Sequence, residues 1–356
     1  MLEEGNDAGV YPPLAKNGRR APLIAPRRGQ LGISQGGLAK RIGISRQSLS
    51  AIETGVSSPS VEVALLIAKT LGTTVEDLFQ IGDSIVEAYF DLERFRDSRV
   101  AVGEIGSRLI ARRLSSRRDS GPTGASDGRY VNGEFVWNSP RSTSIFLSGC
   151  DPSLGVLVDW LNIKDPTRRY RWISAQNSTA EAELAVGVTH FALRHGVVGP
   201  KVANSRYAAF DLCDWTLAVA VKGENPLRIS SLGDAIDKGA RWAARPKGSG
   251  TLETLALELL ELRLDIELVN QTSSIFLDHQ SAVEYVALGD ADYVLAAECI
   301  ARDGGLDVVG GISQRSHLYW DEKNVPPEVV SIVINEAKSR EFRRELESMS
   351  GYHLIG

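Results

Sequence analysis

Arg46, Gln47 and Ser50 lie at helical spacing on one face of a short segment, and Leu49 and Ile52 lie on the other. At ~100° per residue these positions separate into a polar and an apolar side. The polar side has the chemistry to read base edges in a major groove, where Arg favours guanine and Gln favours adenine. Gln35 stands at the start of the preceding helical segment, where unpaired backbone amides favour a phosphate oxygen. Charge agrees with this reading. Between Leu14 and Ser60 the chain carries Lys16, Arg19, Arg20, Arg27, Arg28, Lys40, Arg41 and Arg46 against one acid, Glu53, a local charge of +7. From Gly121 onward 23 Lys and Arg face 31 Asp and Glu, so a basic segment is attached to an acidic body. That asymmetry, hidden in a net charge of -5, is the footprint of a phosphate-binding module joined to something else.

A second set of residues recurs at strand-to-helix junctions. The strings are SGCDPSLG (148–155), QNSTAE (176–181), NPLRISSLGDAIDKGARWAARPKGSGTLETL (225–255) and DHQSAVEYVALGDADYVLAAECIARDGGLDVV (278–309). Each puts small polar residues or Gly where a helix begins, and the amides and hydroxyls there suit anionic groups.

The elements that must position these residues follow from periodicity. Ser34 and Ser45 are N-caps of two short helices with Gly43 between them, and Ser60 caps a third that ends at Gly72. Val75 to Phe79 closes the helical set. The first helix, holding Pro26, should be short and begin near that residue, since Pro is tolerated only in a first turn. Gly36 and Gly37 weaken the next helix by ~2 kcal/mol relative to Ala. Ile81 to Arg96 reads as a connecting helix, with Ile85, Tyr89, Leu92 and Phe95 as an apolar stripe suited to a dimer interface. Arg99 to Leu114 reads as short strands, and Ser115 to Gly133 as a loop. Beyond Ser144 strands and helices alternate, which predicts α/β layering with mainly parallel sheets. Within it Ile266 to Val269 reads as a strand and Pro327 to Met349 as one long helix.

Much is excluded. Cys150, Cys213 and Cys299 are far apart and lack CxxC pairing, so neither a disulfide framework nor a zinc site is indicated. No HExxH, GxSxG or P-loop string occurs, so the chain reads as a non-enzyme with no metal or organic cofactor. No apolar run reaches the ~18 residues of a membrane span, and the N-terminus lacks a signal-like run. The expected location is the cytoplasm, with no membrane partner.

The string SQGGLAKRIGISRQSLSAIETGVSSPSVEVALLIAKTLGTTVEDLF closely resembles the Xre-type, phage-repressor-like helix-turn-helix family over about Arg27 to Phe79. The resemblance implies a homodimer on double-stranded DNA, with contacts from Gln35, Ser45, Arg46, Gln47 and Ser50. It also implies an ion pair between Arg28 and Glu53. The four strings of the second half resemble the periplasmic-binding-protein-like, molybdate-binding-related domain found behind such helix-turn-helix domains in bacterial regulators. That domain implies two α/β lobes with a small-molecule effector between them. Carried over by position, the first lobe supplies Ser148, Cys150, Asp151, Ser178 and Thr179. The second supplies Ser249, Gly250, Thr251, Asp278, His279 and Glu298. RVAVGEIGSRLIARRL resembles the small β linker of those regulators.

The implied organisation is a disordered tail (1–20), a helix-turn-helix domain (21–82), a connecting helix and β linker (83–143) and a two-lobed domain (144–356). The implied effector is molybdate or another oxyanion. Asp151, Asp278 and Glu298 stand against a simple oxyanion, because a carboxylate repels it. A zwitterionic or hydroxyl-rich metabolite is the alternative. A cofactor-delivery or enzymatic module with secondary DNA binding is the alternative from another class.

Overall fold

The computed structural model describes residues 22–79, 86–89, 97–114, 124–131, 134–138, 143–197 and 206–355. The chain divides into two units, Met1–Ile85 and Val86–Gly356. The tail expected over 1–20 lies outside the described residues.

The first unit is helical: α1 (Ile24–Gln30), α2 (Gln35–Ile42), α3 (Arg46–Glu53), α4 (Val61–Leu71) and α5 (Val75–Phe79). Local sequence accounts for most boundaries. Ser34, Ser45 and Ser60 each accept a backbone N–H from the residue three positions on. Gly43 and Gly72 end α2 and α4 in left-handed conformation, at φ 76° and 62°, which Gly adopts without steric cost. The first helix starts at Ile24, two residues before the expected Pro26, so that Pro26 falls in its first turn, where its missing N–H costs nothing. Ile24, Leu38, Leu49, Ile67, Leu71 and Leu78 form the core of this unit. The Leu23 N–H also bonds the Leu78 carbonyl at 2.8 Å, joining the first helix to the last.

The second unit opens with a five-stranded sheet in the order β1-β3-β2-β4-β5, built from β1 (Val86–Tyr89), β2 (Asp97–Ile105), β3 (Arg108–Arg113), β4 (Gly128–Val131) and β5 (Glu134–Trp137). Two expectations are corrected here. Val86–Tyr89 is a strand, not part of a connecting helix, because it pairs in parallel with Leu109–Arg112. Tyr89, expected on a dimer stripe, instead lies under the Arg112 guanidinium at 4.4 Å. Ile85, Leu92 and Phe95 lie outside the described residues. The expected loop over 115–133 holds β4, which forms a hairpin with β5 and places Tyr130 against Phe135 and Phe135 against Trp137.

The remainder builds a two-lobed α/β fold. The first lobe holds β6 (Ser144–Gly149), α6 (Pro152–Lys164), β7 (Arg169–Ser174), α7 (Asn177–Ala185) and β8 (Phe191–Val197). Two strands, β9 (Ala208–Val221) and β13 (Asp307–Trp320), are shared with the second lobe. That lobe holds α8 (Leu232–Asp237), β10 (Trp242–Ala244), α9 (Gly250–Leu262), β11 (Gln271–Ile275), α10 (His279–Leu288), β12 (Tyr293–Ala297) and α11 (Glu298–Asp303). The chain ends with α12 (Pro327–Ala337), α13 (Arg340–Ser348) and β14 (Tyr352–His353).

The strand order is β11-β10-β12-β9-β13-β8-β6-β7, with β14 added to β9. The flanks are parallel, as expected, but the centre is not. β9 pairs antiparallel with both β12 and β13, and β13 pairs antiparallel with β8. The chain crosses to the second lobe along β9 and returns beside it along β13, so the two must run in opposite directions. Two further expectations fail locally. Ile266–Leu268 is a single 3-10 turn capped by Asp265, and the strand follows at Gln271. The expected long terminal helix is two, because Ser339 caps a new one by accepting the Phe342 N–H at 3.2 Å.

Candidate DNA-reading helix and ligand crevice

In the helical unit α3 carries Leu49 and Ile52 inward, at 0% and 4% exposure, and Arg46 and Gln47 outward. Ser45 is spent on the helix itself: it accepts the Ser48 N–H at 3.0 Å and bonds the Ser48 hydroxyl. Ser50 is half-buried. Behind this face runs a chain of side chains. Arg28 donates to Glu53, which also accepts from Gln35 Nε2 at 2.8 Å, and Gln35 Oε1 accepts from Arg46 Nε at 3.0 Å. The expected Arg28–Glu53 pair is present. Gln35 has an additional task, holding Arg46 in place.

In the second unit the residues expected at the crevice separate into those that cap or brace and those that converge. Ser148 is fully buried and donates to Glu183, which in turn pairs with Arg112 of β3. It therefore braces the small sheet against the first lobe. Asp151 caps α6 through the Ser153 N–H and accepts from the Tyr352 and Ser316 hydroxyls. Asp278 caps α10, and Glu298 pairs with Arg302 at 2.8 Å. Ser249 caps α9. Ser178 and Thr179 are exposed at the start of α7, and the Ser178 N–H donates to the Gly248 carbonyl of the other lobe at 3.1 Å.

Cys150, Thr251 and His279 do converge, and the fold adds His195 from β8 and Arg245 from the end of β10. The ligating atoms of Cys150, His195 and His279 lie within 4.8 Å of one another. Gly250 packs so closely on His195 that a Cβ there would sit 2.6 Å from Nε2. Arg245 is near enough to Cys150 and His279 for electrostatic interaction. All but Cys150 are deeply buried, with His195 at 1%, Thr251 at 1%, His279 at 2% and Arg245 at 3% exposure. His195 Nε2, both ring nitrogens of His279, Thr251 Oγ1 and Arg245 Nε and Nη1 nevertheless have no hydrogen-bond partner. Burial, reinforced by Arg245 and His195, pushes the His279 pKa well down, and burial lowers that of Arg245. An unsatisfied buried polar atom costs about 1 to 3 kcal/mol, so such a concentration marks a place made to receive something.

The lobes close over this cluster. Asn177 donates to the His195 carbonyl at 2.7 Å and to Glu253 of the second lobe at 3.3 Å. Arg194 bridges Glu181 and Glu253. No periodicity or motif singles out His195. Arg245 had a weak signal, as a base immediately before the PKGSGT turn.

A helix-turn-helix family profile matches residues 27–78, and a PBP superfamily domain profile matches residues 181–335. An uncharacterized HTH-type transcriptional regulator of Methanothermobacter thermautotrophicus is 45% identical over 58 residues, 16% of this chain and 84% of that protein. The chain belongs to the helix-turn-helix transcriptional regulators. A second such regulator, from Methanocaldococcus jannaschii, is 47% identical over 47 residues, 13% of this chain and 71% of its own length. Among solved structures, a protein assigned as a phosphate ABC transporter substrate-binding protein of Clostridium perfringens, with bound phosphate, aligns at TM-score 0.49 and 13% identity, over 60% of this regulator and 100% of that chain. The regulatory domain of MetR, a LysR family regulator of N. meningitidis, aligns at TM-score 0.45 and 10% identity, over 60% and 98%. This regulator thus joins a helix-turn-helix region to a two-lobed, PBP-like ligand-binding domain. Among the described residues no helix is long and apolar enough to cross a membrane.

Proposed function

We propose that this regulator is a cytoplasmic homodimer that reads an operator through Arg46, Gln47 and Ser50, and whose DNA affinity is set by a small anion held between its lobes. Gln35 and Ser45 approach phosphates at the ends of their helices, and the two copies take half-sites about one helical turn apart. The observation that carries the ligand reading is Arg245, a buried guanidinium with two unpartnered nitrogens. A buried cation without a partner is costly, and a planar guanidinium edge matches an oxyanion or carboxylate. Thr251 Oγ1 adds a hydroxyl beside it, at the start of α9.

The carboxylates that stood against an oxyanion have other engagements. Asp151 and Asp278 cap helices, and Glu298 pairs with Arg302. Their hydrogen bonds reduce their claim on the crevice, which supports an oxyanion such as molybdate. One observation favours a second reading, a metabolite carrying both a carboxylate and a hydroxyl or amine: the unpartnered nitrogens of His279 suit a ligand donor as well.

Calorimetry of the full chain, stripped of metals, with molybdate, tungstate, sulfate and phosphate tests the reading. Saturable heat with one of them, lost in Arg245→Met, is expected. No heat with any oxyanion discards them as the ligand class. Light scattering at roughly 10 micromolar, where micromolar dimers persist, should give twice the chain mass.

A further inference from the structure

We propose that Cys150 Sγ, His195 Nε2 and a ring nitrogen of His279 bind one thiophilic d10 metal ion, Zn(II) or Cu(I), across the crevice between the lobes. This goes beyond the anion reading and does not rest on it.

The decisive group is His195. Its Nδ1 faces Gln314 Oε1 at 3.1 Å, and the orientation of Gln314 is set because its Nε2 donates to the Ser313 carbonyl at 3.3 Å. A carbonyl only accepts, so the amide oxygen must face His195, and His195 Nδ1 must carry the hydrogen. In the neutral ring Nε2 is then a bare lone pair, turned into the cluster and without a donor. An oxyanion has no proton to offer it. A hydroxyl could satisfy one such lone pair. A set of one sulfur and two imidazole nitrogens, all within 4.8 Å, is met together by a single Lewis acid.

The surroundings have the form of a metal's outer shell. A ligating His ordinarily donates its second nitrogen to a carbonyl or carboxylate that fixes the ring, as His195 does to Gln314, which Thr254 Oγ1 also approaches at 3.2 Å. The lack of a side chain at Gly250 leaves room at the His195 ring edge, since a Cβ there would lie 2.4 Å from Cε1. Cys150 is partly exposed, which gives an ion a way in, and Arg245 offers a counter-charge to a metal-bound thiolate. His195 and Cys150 belong to the first lobe and His279 to the second, so an ion held by all three favours the closed arrangement.

The test uses the full chain, stripped with a chelator and offered Zn(II), or Cu(I) under anaerobic reducing conditions, then desalted and assayed for metal. One ion per chain is expected with one of these metals. Co(II) in the same place should show a thiolate charge-transfer band in the near ultraviolet. Cys150→Ser and His279→Gln should each weaken binding more than about 100-fold, and Gln314→Leu by about 10- to 100-fold, with Gln314→Glu retaining it. His317→Gln, whose imidazole faces Asp211, should bind as the wild type does. Thermal unfolding of each variant separates loss of metal from loss of fold, and the Co(II) band of the unaltered chain needs no variant. Retention of neither metal, a Co(II) spectrum without the thiolate band, or undiminished binding by folded Cys150→Ser and His279→Gln overturns the proposal. Anion heats measured on stripped protein report on Arg245 alone, so either reading can fail without the other.

Discussion

Arg28 Nε donates to Glu53 Oε1 at 2.9 Å, tying the first helix of the helical unit to the last turn of α3. Glu53 is only 8% exposed, so removing Arg28 leaves a buried carboxylate with Gln35 as its remaining side-chain partner. Arg28→Leu should therefore destabilise the helical unit by about 2 to 3 kcal/mol, below the full penalty of a completely buried pair because Arg28 itself is partly exposed. Urea unfolding of the full chain, followed by far-ultraviolet circular dichroism, should show an early helical transition. An unchanged profile would mean the pair contributes nothing net.

The same network makes a prediction about specificity. Arg46→Ala and Gln47→Ala should each reduce discrimination between selected and random duplexes by about 1 to 3 kcal/mol. Gln35→Ala, as a lost phosphate contact, would weaken all sequences equally. Because Gln35 also holds Arg46 at 3.0 Å, it should reduce discrimination as well, by less than Arg46→Ala. Binding curves on both duplexes decide this; a uniform loss for Arg46→Ala would make Arg46 a phosphate contact.

The helical unit was legible because its determinants are local. Ser caps, left-handed Gly43 and Gly72 and the spacing of Leu38, Ile42, Leu49 and Ile52 all act within a few residues. Val86–Tyr89 was not, because four residues with no strong local preference take strand form only by pairing with Leu109–Arg112, more than a loop away. The crevice divides in the same way. Polar strand-to-helix junctions were visible, but a helix cap and a ligand contact use the same residue types. Asp151, Ser249 and Asp278 proved to be caps. His195 and Arg245 reach Cys150 and His279 only through the pairing of β8 with β13 and of β10 with β12, which no local pattern encodes.

Two glycines should control the crevice separately. A Cβ at Gly250 would lie 2.4 Å from His195 Cε1 and 2.6 Å from Asn177 Nδ2, both on buried side chains. Gly250→Ala should therefore displace His195 and weaken ligand binding by about tenfold or more, given the 1 to 3 kcal/mol typical of forced overpacking. Gly248 has φ +81°, and a Cβ there would overlap Ser178 Oγ at 2.0 Å. Gly248→Ala should hold the lobes apart and raise the radius of gyration in small-angle scattering with ligand present. Unaltered closure would show that the Ser178–Gly248 contact is not what limits it.

His190 predicts an acid sensitivity. It is fully buried, accepts the Phe146 N–H at Nδ1 and bonds the Glu104 carbonyl through Nε2, so the neutral ring is built in. Burial lowers its pKa to about 4 from 6.5, against a smaller upward effect of the Glu104 carbonyl. Below pH 6.5 the unfolded chain takes up a proton that the folded chain refuses until about pH 4. The contribution is therefore complete above pH 6.5 and is lost as pH falls toward 4, to the extent of about 3 kcal/mol. His279, also held neutral, adds a slope of the same sign. The difference between wild type and His190→Asn, measured as unfolding free energy against pH, isolates His190; parallel curves would contradict the assignment.

The account's central claim is that the crevice and the DNA-reading helix are linked, and operator affinity with and without ligand measures that link directly. Full-length protein, with a duplex recovered by in vitro selection, should change its DNA dissociation constant by about 5- to 150-fold at saturating oxyanion, the usual range of such coupling. Arg245→Met should bind the same duplex as the ligand-free wild type does and show no change. Equal affinity with and without a ligand that calorimetry shows to be bound, or an undiminished response in Arg245→Met, would contradict it.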